Sequence, residues 1–204
     1  MSTLSYHEQK DKENIIRLRG LIRDLPGFCA DFFRGIEPRT SSRTRIAYAY
    51  DLHIFFDFLH KENPALKQIA ITDLSLDLLD QLSVTDFEEY MEYLKVYKRE
   101  DNEMITNGER GLKRKMSALR SFYSYYFKHQ YIATNPTLLV DMPKLHDKAI
   151  IRLDIDEVAM LLDYVESAGE HLTGQALAYY QKTKNRDLAI LTLLLGTGIR
   201  VSEC

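Results

Sequence analysis

A stripe of basic and hydroxyl side chains between residues 110 and 128 carries the clearest chemical signal in the sequence. Its members recur at helical spacing on one side of a predicted helix: Arg110, Lys113, Arg114, Ser117, Arg120, Ser121, Ser124 and Lys128. No acidic residue occurs from Gly111 to Asn135. Arg and Lys neutralise phosphates and Ser donates hydrogen bonds to them, so the stripe predicts contact with a nucleic-acid backbone. The alternative is an ordinary solvated helix face.

A second candidate site is the turn with the sequence GTGIRVSE, residues 196–203. Its glycines allow one helix to end and another to begin within a few residues. Arg200 would then stand beside the backbone N–H groups of a helix start. A guanidinium and a helix dipole together can hold a phosphate and its transition state. The alternative is a turn in which Arg200 simply pairs with Glu203.

Other kinds of chemistry find little support. The six His residues show no metal-ligand spacing, and the two cysteines, Cys29 and Cys204, stand far apart. We therefore expect no metal, no cofactor and no disulfide framework, and a reducing cytoplasm as the location. No apolar stretch reaches the roughly 18 residues of a membrane span, and the N-terminus does not resemble a secretory signal.

The net charge conceals a segregated distribution. The chain has 204 residues and a formal charge of −3. Residues 61–109 hold five Lys/Arg against twelve Asp/Glu, whereas residues 110–148 hold eight against two. The second region therefore has a local positive field that the total charge does not reveal.

Helical spacing of apolar residues along nearly the whole chain predicts a mainly α fold. Helices are expected over about 8–24, 28–34, 43–60, 84–97, 110–129 and 186–195, with another starting near Asp154. Ser41-Ser42, Ser83, Asp154 and Asn185 are the expected N-caps. Residues 98–109 are predicted to form a mobile charged loop and 143–151 a linker. Residues 199–204 are expected to begin a further helix.

Two regions resemble the tyrosine recombinase (phage integrase) family. RDLAILTLLLGTGIRVSEC, residues 186–204, resembles the start of its catalytic domain. TRIAYAYDLHIFFDFL (44–59) and KRKMSALRSFYSYYFKHQYIATNPTLLVDMPK (113–144) are similar to its core-binding domain. The resemblance implies a helical-bundle, SAM-like core-binding domain over 26–142. A linker at 143–151 and the truncated, helical start of the catalytic domain at 152–204 would follow. Residues 1–25 are expected to form a helical N-terminal extension.

The resemblance also implies an activity. This family cuts and rejoins double-stranded DNA through a covalent phosphotyrosine, without a metal, and works as a tetramer on DNA. Arg200 matches the first catalytic arginine, while Gly196, Thr197, Gly198 and Glu203 match positions that support the turn. The nucleophile lies further downstream in the family, and no tyrosine here matches it. A chain ending at Cys204 is therefore expected to be an N-terminal fragment, inactive alone.

The expected DNA-binding residues are Arg43, Arg45, Lys113, Arg114, Ser117, Arg120, Ser121 and Lys128. Two alternatives remain open from the sequence. One is a non-catalytic DNA-binding protein that competes for recombination sites, and the other is a helical protein-interaction module. Because the predicted helix 186–195 is apolar on nearly all sides, we also expect exposed apolar surface near residues 186–204, with association or disorder there.

Overall fold

The computed structural model describes residues 5–99, 102–146 and 152–204. The chain divides into two units, and the boundary lies between His146 and Asp147. That boundary falls inside the predicted linker 143–151, of which residues 147–151 lie outside the described residues. None of the helices in the described ranges combines the length and apolar character of a membrane span.

The first unit is a bundle of helices joined by short 3-10 turns. Its helices are α1 (Tyr6–Arg23), α2 (Cys29–Ile36), α3 (Ser42–Glu62), α4 (Leu78–Gln81), α5 (Val84–Lys95) and α6 (Glu109–Lys128). The predicted caps explain several of these starts. Ser41 accepts a hydrogen bond from the Thr44 backbone N–H, and Ser83 forms a reciprocal capping box with Asp86. The mainly α fold class is confirmed.

Aromatic residues dominate the core of this unit. The fully buried rings belong to Phe32, Phe55, Phe56, Phe87, Tyr90, Phe122, Tyr123 and Tyr126. Many of these rings meet edge to face, as Phe32 and Phe122 do at 5.1 Å between centroids. Two buried hydroxyls are satisfied by backbone carbonyls, because Tyr123 donates to Leu79 O and Tyr126 donates to Phe28 O. These contacts fasten α6 to the helices that surround it.

The segment that follows α5 differs from its prediction. Residues 98–109 are predicted to form a mobile charged loop, but Lys98 and Met104–Thr106 lie in an antiparallel hairpin of β1 (Val96–Lys98) and β2 (Met104–Thr106). Tyr97 lies opposite Ile105 in the register and is buried. The alternation of inward and outward side chains over three residues on each strand is too short a pattern to stand out in the sequence.

The second unit consists of α7 (Ile155–Ser167), a 3-10 turn and α8 (Gly174–Thr197). Asp154 caps α7 in a capping box with Glu157, at the predicted start. The predicted helix 186–195 is only the second half of α8, and Asn185 lies inside the helix instead of capping it. No Gly or Pro interrupts residues 175–195, so the helix continues without a break from the turn at Gly174.

Apolar surface is exposed in the second unit, as predicted. Among the described residues 152–204, Thr183 is the one side chain classed as buried. Large apolar side chains on α8 and beyond remain exposed, including Ile190, Leu193, Leu195 and Val201. The prediction of association or disorder near residues 186–204 stays a prediction.

Candidate nucleic-acid interface

Helix α6 has one buried apolar side, which also holds Lys115, and an opposite side with exposed cations. Apolar residues at helical spacing form its buried stripe: Leu112, Met116, Leu119, Tyr123 and Tyr126. The opposite side presents exposed Arg110, Lys113, Ser117 and Lys128, with Ser121 and Ser124 half-buried between them. We call these six residues the α6 face. Its small serines leave room for a ligand backbone to approach between the longer cations.

Arg114 lies at the edge of the α6 face and pairs with a buried carboxylate on α3. Its two terminal nitrogens donate to Asp51 at 2.5 and 2.8 Å. The Asp51 side chain is 1% exposed, whereas that of Arg114 is 51% exposed. Burial raises the pKa of the Asp51 carboxyl, while the positive charge and hydrogen bonds of Arg114 act in the opposite direction. Three of the five N–H donors of Arg114 are left for other partners.

Arg120 is engaged within the first unit. Its Nε donates to Thr137 O at 3.0 Å and one terminal nitrogen donates to Val140 O at 2.7 Å. The side chain therefore holds the segment that follows α6, whereas the sequence predicts a DNA contact for Arg120. The sequence alone does not distinguish these two roles of Arg120, because the carbonyls that it binds lie 17 and 20 residues away along the chain.

Arg45 also differs from its expected exposure. Its side chain is 9% exposed and donates to Glu37 Oε1 at 2.7 Å. It points toward the interior because it lies on the same side of α3 as Ala49 and Leu52, which are fully buried. Arg43, two residues earlier, is exposed. Of the two arginines at the start of α3, only Arg43 is therefore open to an external ligand.

Arg200 lies after α8, in a region that differs from its prediction. Gly196 and Thr197 still belong to α8, and residues 199–204 form a turn instead of beginning a further helix. Gly198 adopts the left-handed conformation (φ 67°) and its N–H donates to Leu194 O, which ends α8. The Arg200 side chain is 81% exposed. Glu203 accepts from the Arg200 backbone N–H at 2.8 Å and from its guanidinium at 3.0 Å. The pairing expected as the simpler alternative is therefore present, and it leaves most of the guanidinium open.

Two acids outside the predicted set bind polar groups near the basic side of α6. Asp51 binds Arg114, and Glu109 at the start of α6 binds the backbone N–H and the ring of His146. A signal for Asp51 does exist. It stands four and seven residues before Phe55 and Phe58 on an otherwise apolar side of α3, where a carboxylate requires a partner.

Other concave and acidic features do not coincide with the predicted site. A cleft of about 700 Å³ in the first unit is lined by residues that include Tyr50, His53 and Tyr97, and none of the predicted site residues lines it. The described ranges contain no cluster of three or more His, Cys, Asp or Glu side chains suited to a metal ion.

Comparison with known proteins identifies relatives of one kind. The chain is 33% identical over 180 residues to tyrosine recombinase XerC of Caldanaerobacter subterraneus subsp. tengcongensis, an overlap of 85% of this chain and 45% of that protein. It is 29% identical over 198 residues to tyrosine recombinase XerS of Streptococcus equi subsp. zooepidemicus, covering 88% and 55%. In an alignment of 210 positions with XerS of Lactococcus lactis subsp. cremoris it is 28% identical, and the alignment covers 94% of this chain and 58% of that protein.

The chain thus spans about half the length of the curated relatives it matches. No family model and no solved structure matches it. The similarity extends across most of the chain, and these relatives are all tyrosine recombinases. The chain belongs to the tyrosine recombinase family.

Proposed function

We propose that this chain is the DNA-binding portion of a site-specific tyrosine recombinase, and that the α6 face contacts the phosphates of double-stranded DNA. The observation that carries the proposal is the outward side of α6, where cations flank a group of serines and no acid occurs from Gly111 to Asn135. A face that merely keeps a helix soluble more often mixes Glu with Lys at four-residue spacing.

The dimensions of α6 suit a phosphate backbone. Arg110 and Lys128 are 18 residues apart, which corresponds to about 27 Å along a helix. Duplex DNA rises about 3.4 Å per nucleotide of one strand, so the face is as long as about eight nucleotides. Lys113 and Arg114 supply cations near one end, and Ser117 and Ser121 supply hydroxyl donors between the ends. Exposed Arg43 is proposed as an additional contact.

In the whole protein we assign Arg200 to the scissile phosphate, as the family resemblance implies. The glycine-ended helix and Glu203 hold its backbone, and the open part of its guanidinium is available to a phosphoryl oxygen. Gly196 and Thr197 belong to the last turn of α8. We assign no tyrosine of this chain to the covalent step. Assembly of four copies on paired DNA sites is part of the same proposal.

The salt dependence of duplex binding tests the DNA contact. Each phosphate contact contributes about 0.9 to the slope of log affinity against log salt. Raising salt from 50 to 200 mM therefore weakens binding by about 3.5-fold for each contact. We expect Lys113→Ala to lower the slope by about one unit, as measured by fluorescence anisotropy with a labelled 30-base-pair duplex.

Lys12→Ala is the matched control, because it removes the same charge from an exposed position on α1 and should leave the slope unchanged. An unchanged slope for Lys113→Ala would remove α6 from the interface. A wild-type chain that binds no duplex even at 50 mM salt would favour the helical interaction module instead.

A further inference from the structure

The segment after α6 turns back and lies along that helix. We call residues 136–146 the strap. At its beginning, Arg120 on α6 donates to the carbonyls of Thr137 and Val140 at 3.0 and 2.7 Å. Both of these strap residues are buried, at 0% and 2% exposure. One guanidinium therefore satisfies two backbone acceptors with little access to water.

The C-terminal end of the strap is bound to the N-terminal end of α6. The His146 backbone N–H donates to Glu109 Oε2 at 3.0 Å, and His146 Nδ1 lies 2.6 Å from Glu109 Oε1. Between the two ends, Met142 packs against the core. Both partners of the strap lie on α6, so the strap runs antiparallel to the helix.

The lengths agree with a single extended pass. From Arg120 back to Glu109 is 11 residues of helix, or about 17 Å. From Val140 to His146 is six residues, which span about 20 Å when extended. The strap must therefore be nearly fully extended between Val140 and His146.

We propose that Arg120 and Glu109 are positioning residues, which hold the strap along α6 and fix the point from which the chain continues to the second unit. That point is His146, at the N-terminal end of the α6 face. This inference rests on the proposed function, because its consequence is measured on DNA binding. Arg120 acts through the strap and not as a phosphate ligand, in contrast to Lys113.

The two roles predict different behaviour on DNA. Loss of a phosphate ligand lowers the salt slope. Loss of a positioning residue lowers the fraction of molecules in the binding-competent state, which reduces affinity by the same factor at every salt concentration. If Arg120→Ala reduces the fastened fraction to about 0.1–0.3, affinity falls about three- to tenfold with an unchanged slope.

The experiment compares Arg120→Ala, Arg120→Lys and Lys113→Ala in the full chain. Duplex affinity is measured from 50 to 200 mM salt, and hydrogen exchange of the peptide 137–146 is measured without DNA. We expect both Arg120 variants to exchange faster in the strap and to bind more weakly at constant slope. A lysine keeps the charge but lacks the guanidinium's two-pronged geometry, so it should not restore binding. Lys113→Ala should change the slope without changing strap exchange.

Arg23→Ala removes an exposed charge from the last turn of α1 and serves as the control for charge alone. Circular dichroism shows whether each variant retains its helices. A slope that falls by about one unit in Arg120→Ala and recovers in Arg120→Lys would make Arg120 a phosphate ligand and overturn the proposal. Faster hydrogen exchange in the strap together with an unchanged affinity for the duplex would also overturn the proposal. If the wild-type chain does not bind the duplex, the proposed function is refuted. Hydrogen exchange in the strap then still tests whether Arg120 holds the strap along α6.

Discussion

Truncation of Arg114 is the most informative test of how this bundle supports its cations. In Arg114→Ala, the Asp51 carboxylate, which is 1% exposed in the intact chain, loses both of its guanidinium hydrogen bonds. Removing one partner of a buried ion pair costs about 3–5 kcal/mol. We expect the lower end of that range, because the Arg114 side chain is half exposed and its removal admits water. The loss is still a large share of the about 5–15 kcal/mol that stabilises a typical domain.

The cost should depend on pH in a defined direction. Burial raises the pKa of Asp51 in the folded state, and Arg114 opposes that rise. Without Arg114 the folded pKa rises further above the unfolded value of about 3.9. Between the unfolded and the folded pKa of Asp51, the folded state then binds more protons than the unfolded state. Stability therefore increases as pH falls through the folded pKa, so the destabilisation should be smaller at pH 5 than at pH 7.5.

Urea unfolding followed by far-ultraviolet circular dichroism measures both effects. Adding Asp51→Asn to Arg114→Ala removes the titrating group, so this double variant should lose the extra pH dependence. Replacing the pair by Asp51→Leu and Arg114→Met should cost less than Arg114→Ala alone, since apolar side chains leave no buried charge. A destabilisation below about 1 kcal/mol that is equal at both pH values would refute the account of Asp51 as a buried carboxylate dependent on Arg114.

Two further predictions concern packing and thiol chemistry. Gly35→Ala should destabilise the first unit by about 1–3 kcal/mol in the same urea assay, because its Cβ would clash with the Tyr125 ring. Gly20→Ala, whose Cβ meets nothing within 4 Å, should instead stabilise slightly, and equal effects would contradict the packing argument. Iodoacetamide should modify exposed Cys204 in the folded chain but reach Cys29 only in urea, since burial raises the pKa of the Cys29 thiol. Rapid modification of both thiols in the native chain, detected by mass spectrometry, would contradict that burial.

Local features of the sequence determined the helices and their faces. The cap at Ser83 and the capping box at Asp154 lie where the sequence predicts them, because each involves residues only three apart. The apolar residues of α6 that recur at helical spacing are all buried, because helical periodicity decides which side chains share a side. Tyr50 on α3 shows the limit of this reasoning. It stands four residues after buried Ile46 on the same side of the helix, but it is 40% exposed and its hydroxyl accepts from Arg17 of α1.

Only the tertiary structure decided which cations are available to a ligand. Arg114 and Arg120 stand on the predicted basic stripe with Lys113, and periodicity treats the three alike. Their partners lie far away in sequence: Asp51 is 63 residues from Arg114, and the strap carbonyls are 17 and 20 residues from Arg120. Which donor a buried carboxylate or carbonyl binds depends on the tertiary packing, and helical periodicity does not predict that packing. The sequence therefore determined the positive side of α6, and packing against α3 and the strap determined the use of each cation.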